Sequence, residues 1–144
     1  MTRFQRLLED WRAGNAELAP IVGLVGIRPV SFSEGRAELA LAAERRHHNA
    51  MGTVHGGVLC DLADVAMGCA LAGTLADDEA FTTVELSARY LRSVRDGELT
   101  ARASVVHRGR GTAVVECEIV DAEGRLVAKV ASTCVILRGR TTEG

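Results

Sequence analysis

Apolar side chains repeat along this chain with two different periods, and the switch between them divides it. Within the N-terminal segment 1–18, Phe4, Leu7, Leu8 and Trp11 share one stripe at helical spacing with charged residues between them, which predicts an amphipathic helix over about 3–18. Pro20 ends that helix or starts a short turn. Residues 35–41 alternate and predict a strand, with another before it near Ile27–Phe32. Residues 43–54 are polar and irregular, a loop. From Gly56 to about Leu75 the period returns to helical, but now Val58, Leu59, Leu62, Ala63, Val65, Ala66, Met67, Cys69, Ala70 and Leu71 are apolar nearly all round. Such a helix is buried on most sides.

The remainder alternates with period two. Val84, Leu86, Ala88 and Tyr90 form one set; Leu99, Ala101, Ala103 and Val105 a second; Val115, Cys117 and Ile119 a third; residues 126–136 a fourth. Turn signals separate them at Arg95-Asp96-Gly97, Gly109-Arg110-Gly111 and 121–124. Consecutive strands with tight turns predict an antiparallel meander, and one buried helix against a curved antiparallel sheet is an α+β layout.

At 144 residues the chain fits one domain, 1–144, with a real core. Its 47% apolar and 25% charged residues are ordinary for a globular protein, and a net charge of −2 gives no electrostatic case for nucleic acid or membrane as a partner. The charged, amphipathic start lacks the apolar core of a signal peptide, and no stretch is long and apolar enough to span a bilayer. Cys60, Cys69, Cys117 and Cys134 each sit in an apolar segment and no CxxC occurs, as expected of small buried hydrophobes in a reducing cytoplasm.

The chemistry concentrates at Asn49-Ala-Met-Gly-Thr-Val-His55-Gly56-Gly57 and at Asp64. A helix start leaves backbone N–H groups unpaired, and these attract developing negative charge. On a helix over 56–75, Gly57, Asp61, Asp64, Gly68 and Ala72 fall on one narrow stripe. To cleave an ester or thioester, the carbonyl oxygen needs a donor such as the N–H of Gly56 or Gly57, and the attack needs a carboxylate within about 3 Å of its target. Asp64 lies eight residues beyond Gly56, about 12 Å along the axis, so one helix cannot present both groups to one carbonyl. Two antiparallel helices related by a two-fold axis can, which predicts a homodimer with two shared sites.

Asn49, His55-Gly56-Gly57 and Asp64, nine residues after the histidine and followed by strands, resemble the hotdog-fold acyl-CoA thioesterases, in particular the phenylacetic acid degradation (PaaI-like) subgroup. The resemblance covers most of the chain. It implies a long central helix wrapped by a five- or six-stranded antiparallel sheet, paired into a dimer and often a dimer of dimers. It also implies roles. Gly56 donates its N–H to the thioester carbonyl. Asp64 of the partner chain activates water or attacks directly. Asn49 and His55 orient the acyl carbonyl and the loop. A threonine early in the next strand holds the water, Thr83 by the alignment chosen, with Thr82 the alternative. Asp61 departs from the family pattern, where a neutral residue is expected.

The implied reaction is hydrolysis of a fatty-acyl or aryl-acyl CoA to free acid and coenzyme A, with no metal or redox cofactor. Arg108 and Arg110, at a hairpin turn, are candidates for the coenzyme A phosphates, as are Arg89, Arg92 and Arg95. His47-His48 has no third ligand at metal spacing and reads as part of a solvated basic loop. Two rivals stand beside the hydrolase. A non-catalytic acyl-CoA-binding hotdog protein would have no need of a carboxylate beside the carbonyl. A hydratase on the same fold would want an Asp and His pair on the acyl chain, and His55 is nine residues from Asp64.

Overall fold

The computed structural model describes residues 1–139; the last five positions of the expected 1–144 domain lie outside the described residues. The elements run α1 (Arg3–Arg12), α2 (Pro20–Val25), β1 (Ile27–Ser33), β2 (Arg36–Ala43), a 3-10 turn (Arg45–His47), α3 (Gly56–Ala72), β3 (Glu79–Tyr90), β4 (Gly97–Arg108), β5 (Thr112–Val120) and β6 (Leu126–Arg138). All six strands join one antiparallel sheet in the order β1-β2-β4-β5-β6-β3.

Two expectations about chain path need correction. The N-terminal helix stops at Arg12, not near 18, because Gly14 turns left-handed at φ 79°. Pro20 then starts a second helix, where its missing N–H costs nothing, and left-handed Gly26 closes it. The sheet is not a simple meander either. β1 and β2 follow one another, as do β4, β5 and β6, but α3 intervenes between β2 and β3, so β2 pairs with β4 and β3 crosses to the far edge beside β6.

Helix α3 packs against β2, β4 and β5 and is the centre of the core. Leu62, Ala63, Ala66, Ala70 and Leu71 have no exposed surface. The alanines let the sheet approach closely, and each fully buried leucine contributes about 2 kcal/mol of apolar burial. The one side left open carries Gly57, Asp61, Asp64 and Gly68, four members of the stripe read from the sequence. Helix α1 docks through Leu8 and Trp11, the latter against Phe32 of β1 with ring centroids 5.9 Å apart.

Four strands carry a register shift around one residue: Val30 in β1, Val84 in β3, Val106 in β4 and Val127 in β6. The first three valines are about half exposed, and Val127 is buried. A bulge inserts one residue and reverses the alternation beyond it. The alternating set Val84, Leu86, Ala88 and Tyr90 is therefore broken at its first member, which faces outward. Leu86 and Ala88 pack inward, but upstream of the bulge it is Phe81 and Thr83 that turn toward α3.

At the far end of the sheet, Glu79 is nearly fully buried and ties three strands together. It accepts from Arg108 and Arg138, both at 2.7 Å, and from the Ala76 N–H at 3.0 Å. The Ala76 bond, with help from the two guanidinium groups, outweighs burial and holds this carboxyl below its ordinary value of 4.5. A depressed carboxylate adds stability that is full above its unfolded value and is lost as pH falls through the folded one. Glu79→Gln is expected to lower the urea-unfolding free energy by about 1–2 kcal/mol at neutral pH. That difference should shrink as pH drops below 4.5, and a pH-independent difference would show that charge is not the cause.

Candidate active site

The segment before α3 is held by its own polar side chains. Asn49 Oδ1 accepts from the Met51 and Thr53 N–H groups at 2.9 and 3.2 Å, its Nδ2 donates to Thr53 Oγ1 at 3.0 Å, and its backbone N–H donates to the Thr53 carbonyl. Asn49 thus closes a five-residue loop in which Gly52 supplies the positive φ. The His55 N–H donates to the His47 carbonyl and that of Val54 to the Val94 carbonyl, so the loop is anchored on both sides.

His55 is the N-cap of α3. Its Nδ1 accepts from the Gly57 N–H at 2.9 Å, and its carbonyl takes the Val58 and Leu59 N–H groups. Of the two candidate oxyanion donors, Gly57 is therefore occupied. Among the described residues nothing accepts from the Gly56 N–H, which stands alone at the positive end of a seventeen-residue helix. With Nδ1 accepting, a neutral His55 ring carries its proton on Nε2, on an exposed side chain.

Tyr90 was not anticipated here. Its Oη donates to the Gly56 carbonyl at 2.9 Å and lies 3.1 Å from Cys60 Sγ. A Cβ at position 56 would sit 2.8 Å from the phenol, so the ring covers the first residue of the helix and only glycine leaves room for it. The sequence placed Tyr90 at the end of an alternating strand; nothing in that alternation tells which residue of a distant helix it meets. Asn49, Gly56, Tyr90 and Arg92 line one groove of about 360 Å³.

Asp64 lies two turns further along α3, half-buried, where its Oδ1 accepts from Thr83 Oγ1 at 3.2 Å. Thr82 is exposed and has no such bond. The β3 bulge that follows is what leaves position 83 facing the helix. Asp61, one turn earlier on the same stripe, is pushed above its ordinary range by partial burial and then by the charge of Asp64. Asp64 and Thr83 open onto a second groove, about 290 Å³, whose other walls are apolar side chains of α1, α2, α3 and β3.

Arg108 and Arg110 do not join these groups. Arg108 is committed to Glu79, Thr74 and the Gly109 carbonyl at the C-terminal end of α3, and Arg110 is an exposed hairpin residue. Arg89 lies in another hollow, with Arg102 and Lys129. His47 is buried, with Nε2 2.7 Å from the Val25 carbonyl, and His48 Nε2 lies 2.6 Å from the Arg95 carbonyl. Among the described residues no three His, Cys, Asp or Glu side chains gather as a metal site, and no helix is long and apolar enough to cross a membrane.

A buried helix wrapped by an antiparallel sheet, with a carboxylate on its one open stripe, defines a hotdog-fold protein. The sequence profile of the thioesterase superfamily matches residues 51–128, and the chain belongs to that superfamily. It is similar to the 1,4-dihydroxy-2-naphthoyl-CoA hydrolase of Listeria monocytogenes, 32% identical over 81% of this chain and 94% of the relative. Among solved structures it resembles a thioesterase from Haemophilus influenzae (TM-score 0.84, 26% identity, 95% of this chain and 94% of that one). It also resembles the PaaI protein from the phenylacetic acid degradation operon of E. coli (TM-score 0.82, 26% identity, 96% and 99%).

Tyr90 is the only tyrosine in the chain, so its titration can be read directly. Hydrogen bonding to Cys60, then burial, push its phenol up to about 12. At about pH 10.5 the native protein should show little phenolate absorbance, whereas unfolded protein, with an ordinary value near 10, should be mostly ionised. Equal phenolate signals from the two would mean that Tyr90 does not hold this contact.

Proposed function

We propose that the protein is an acyl-CoA thioester hydrolase acting as a homodimer, with each site built from both subunits. The observation that carries this reading is the separation of the two halves. The Gly56 groove has a free N–H and an arginine but no carboxylate; the Asp64 groove has a carboxylate and apolar walls but does not include the start of α3. They are about 12 Å apart along one helix axis. A two-fold axis that sets two α3 helices antiparallel brings the Gly56 of one chain to the Asp64 of the other. Support for such pairing comes from the edge of β3, a twelve-residue strand with no partner on its outer side among the described residues, and from exposed Met51, Tyr90 and Leu91 beside it.

In this arrangement the thioester carbonyl accepts the Gly56 N–H, and His55 Nε2–H is free to orient it. Asp64 takes a proton from water as the water oxygen bonds to the carbonyl carbon. The tetrahedral oxyanion is stabilised at the helix start, where the dipole and the N–H act together. Collapse breaks the C–S bond, and the proton passes from Asp64 to the departing coenzyme A thiolate. Thr83 donates to one carboxylate oxygen and leaves the other for the water. The same placement suits direct attack by Asp64 on the carbonyl, and single-turnover hydrolysis in 18O-labelled water distinguishes the two, because label enters Asp64 only in the second. Coenzyme A thioesters are the substrate class named for the Listeria relative, and Arg92 beside Gly56 is placed to meet a phosphate.

Asp64→Asn is expected to lower coenzyme A release from a panel of acyl-CoAs by about a hundredfold or more without changing the dimer on size exclusion. Asp64→Asn mixed with Gly56→Leu should recover about a quarter of wild-type activity, because half of the random dimers hold one intact site of two. Wild-type turnover by Asp64→Asn would end the mechanism. Inactive mixtures with proven subunit exchange would end the shared site.

A further inference from the structure

The groove below Asp64 constrains the acyl group more tightly than the sequence does. It follows α3 from Asp64 through Gly68 to Ala72, eight residues or about 12 Å. With C–C bonds of about 1.5 Å, that is the reach of a zigzag of roughly nine carbons. A groove of about 290 Å³ has room for a chain of that length. Gly68 sets the floor, because a Cβ there would stand 3.2 Å from the Phe81 ring, which lies against the bare helix.

The wall that closes the groove comes from the N-terminal helices. Phe4 and Leu7 of α1 and Ile21 and Val22 of α2 face α3 across it. Among the described residues, Asp64 and Thr83 supply its only polar side chains. Cys69, the other heteroatom in the lining, stays a neutral thiol because burial pushes it up to about 12. Past the carboxylate there is no side-chain partner for a hydroxyl or amide on the substrate. A buried hydroxyl without a partner is disfavoured, and this discriminates strongly between otherwise matched ligands.

Resting on the hydrolase reading above, we propose that α1 and α2 form a specificity strap. It selects an unsubstituted apolar acyl group of about eight to ten carbons and rejects acyl groups that carry a distal hydroxyl, hydroxylated aryl groups included. Leu7 and Ile21 are the specificity-determining positions. They project from separate helices that can be altered without touching Asp64, Thr83 or the α3 start.

The test compares kcat/KM for straight-chain acyl-CoAs from four to fourteen carbons, and for octanoyl-CoA against 8-hydroxyoctanoyl-CoA. The expected optimum is near eight to ten carbons, with the hydroxylated substrate poorer by about tenfold or more. Leu7→Trp should move the optimum to shorter chains, and Ile21→Trp, at a position 47% exposed and so tolerant of substitution, should do the same. Binding of the same pair to Asp64→Asn, measured by calorimetry, reads the groove without turnover. Equal use and equal binding of octanoyl- and 8-hydroxyoctanoyl-CoA, or an optimum unmoved by both tryptophan variants, would overturn the strap. No hydrolysis of any thioester, with octanoyl-CoA still binding more tightly than its hydroxylated partner, would leave the strap standing and remove the hydrolase reading instead.

Discussion

A charged side chain can be carried by a buried helix only where the helix keeps one side uncovered. Helix α3 meets this constraint with a narrow stripe. The sheet packs against it mainly through β2, β4 and β5, and the stripe left open holds Gly57, Asp61, Asp64 and Gly68. Desolvation of a lone carboxylate is costly, and here it is limited by partial exposure and by one hydroxyl, Thr83. The glycines on the stripe do the complementary work of keeping it shallow enough for another surface to approach. Everything proposed about the site depends on that uncovered strip, because the same feature that makes Asp64 tolerable also makes it reachable.

The sheet serves the strip through its irregularities more than through its regular ladder. Regular alternation in β3 would turn Thr83 away from the face that Leu86 and Ala88 occupy. The extra residue, Val84, resolves the conflict by sitting outside at 57% exposure while both flanking sets face α3. Glu79 holds the start of β3 to β4 and β6 from the other side. Between that anchor and the bulge, the position of Thr83 is defined by backbone geometry and needs no help from its side-chain contacts with Asp64 and Cys134.

Much of this was legible in the residues because it rests on periodicity. The helix from Gly56, expected to about Leu75 and ending at Ala72, its stripe, the strand set and the turn positions all follow from repeats of 3.6 and 2, and the distance argument that separates Gly56 from Asp64 follows from helix rise alone. What escaped was set by register and long-range packing. Alternation that places Leu86 and Ala88 inward gives the wrong face when read back through Val84 to Thr82, since a bulge leaves no mark in composition. Strand order escaped because a helix between β2 and β3 moves β3 to the far edge. Tyr90 and Arg108 escaped for a shared reason. Their partners, Gly56 and Glu79, are 34 and 29 residues away, and no local pattern connects them.

The two grooves also explain why His55 is better suited to orientation than to proton transfer. A histidine that caps a helix through Nδ1 gives that lone pair to the backbone and is fixed in one tautomer. Acting as a base would require Nε2 to accept, which would need the Nδ1 proton and would break the cap. Each turnover would then uncap α3 and free the Gly57 N–H at the point where the oxyanion needs a fixed donor. Keeping the proton exchange on Asp64, whose partner Thr83 sits on a different element, separates the group that moves protons from the groups that hold the helix start still. Tyr90 reinforces the division from the other side, since its phenol bonds the Gly56 carbonyl and its ring covers the Gly56 Cα, leaving only the N–H of that residue exposed to substrate.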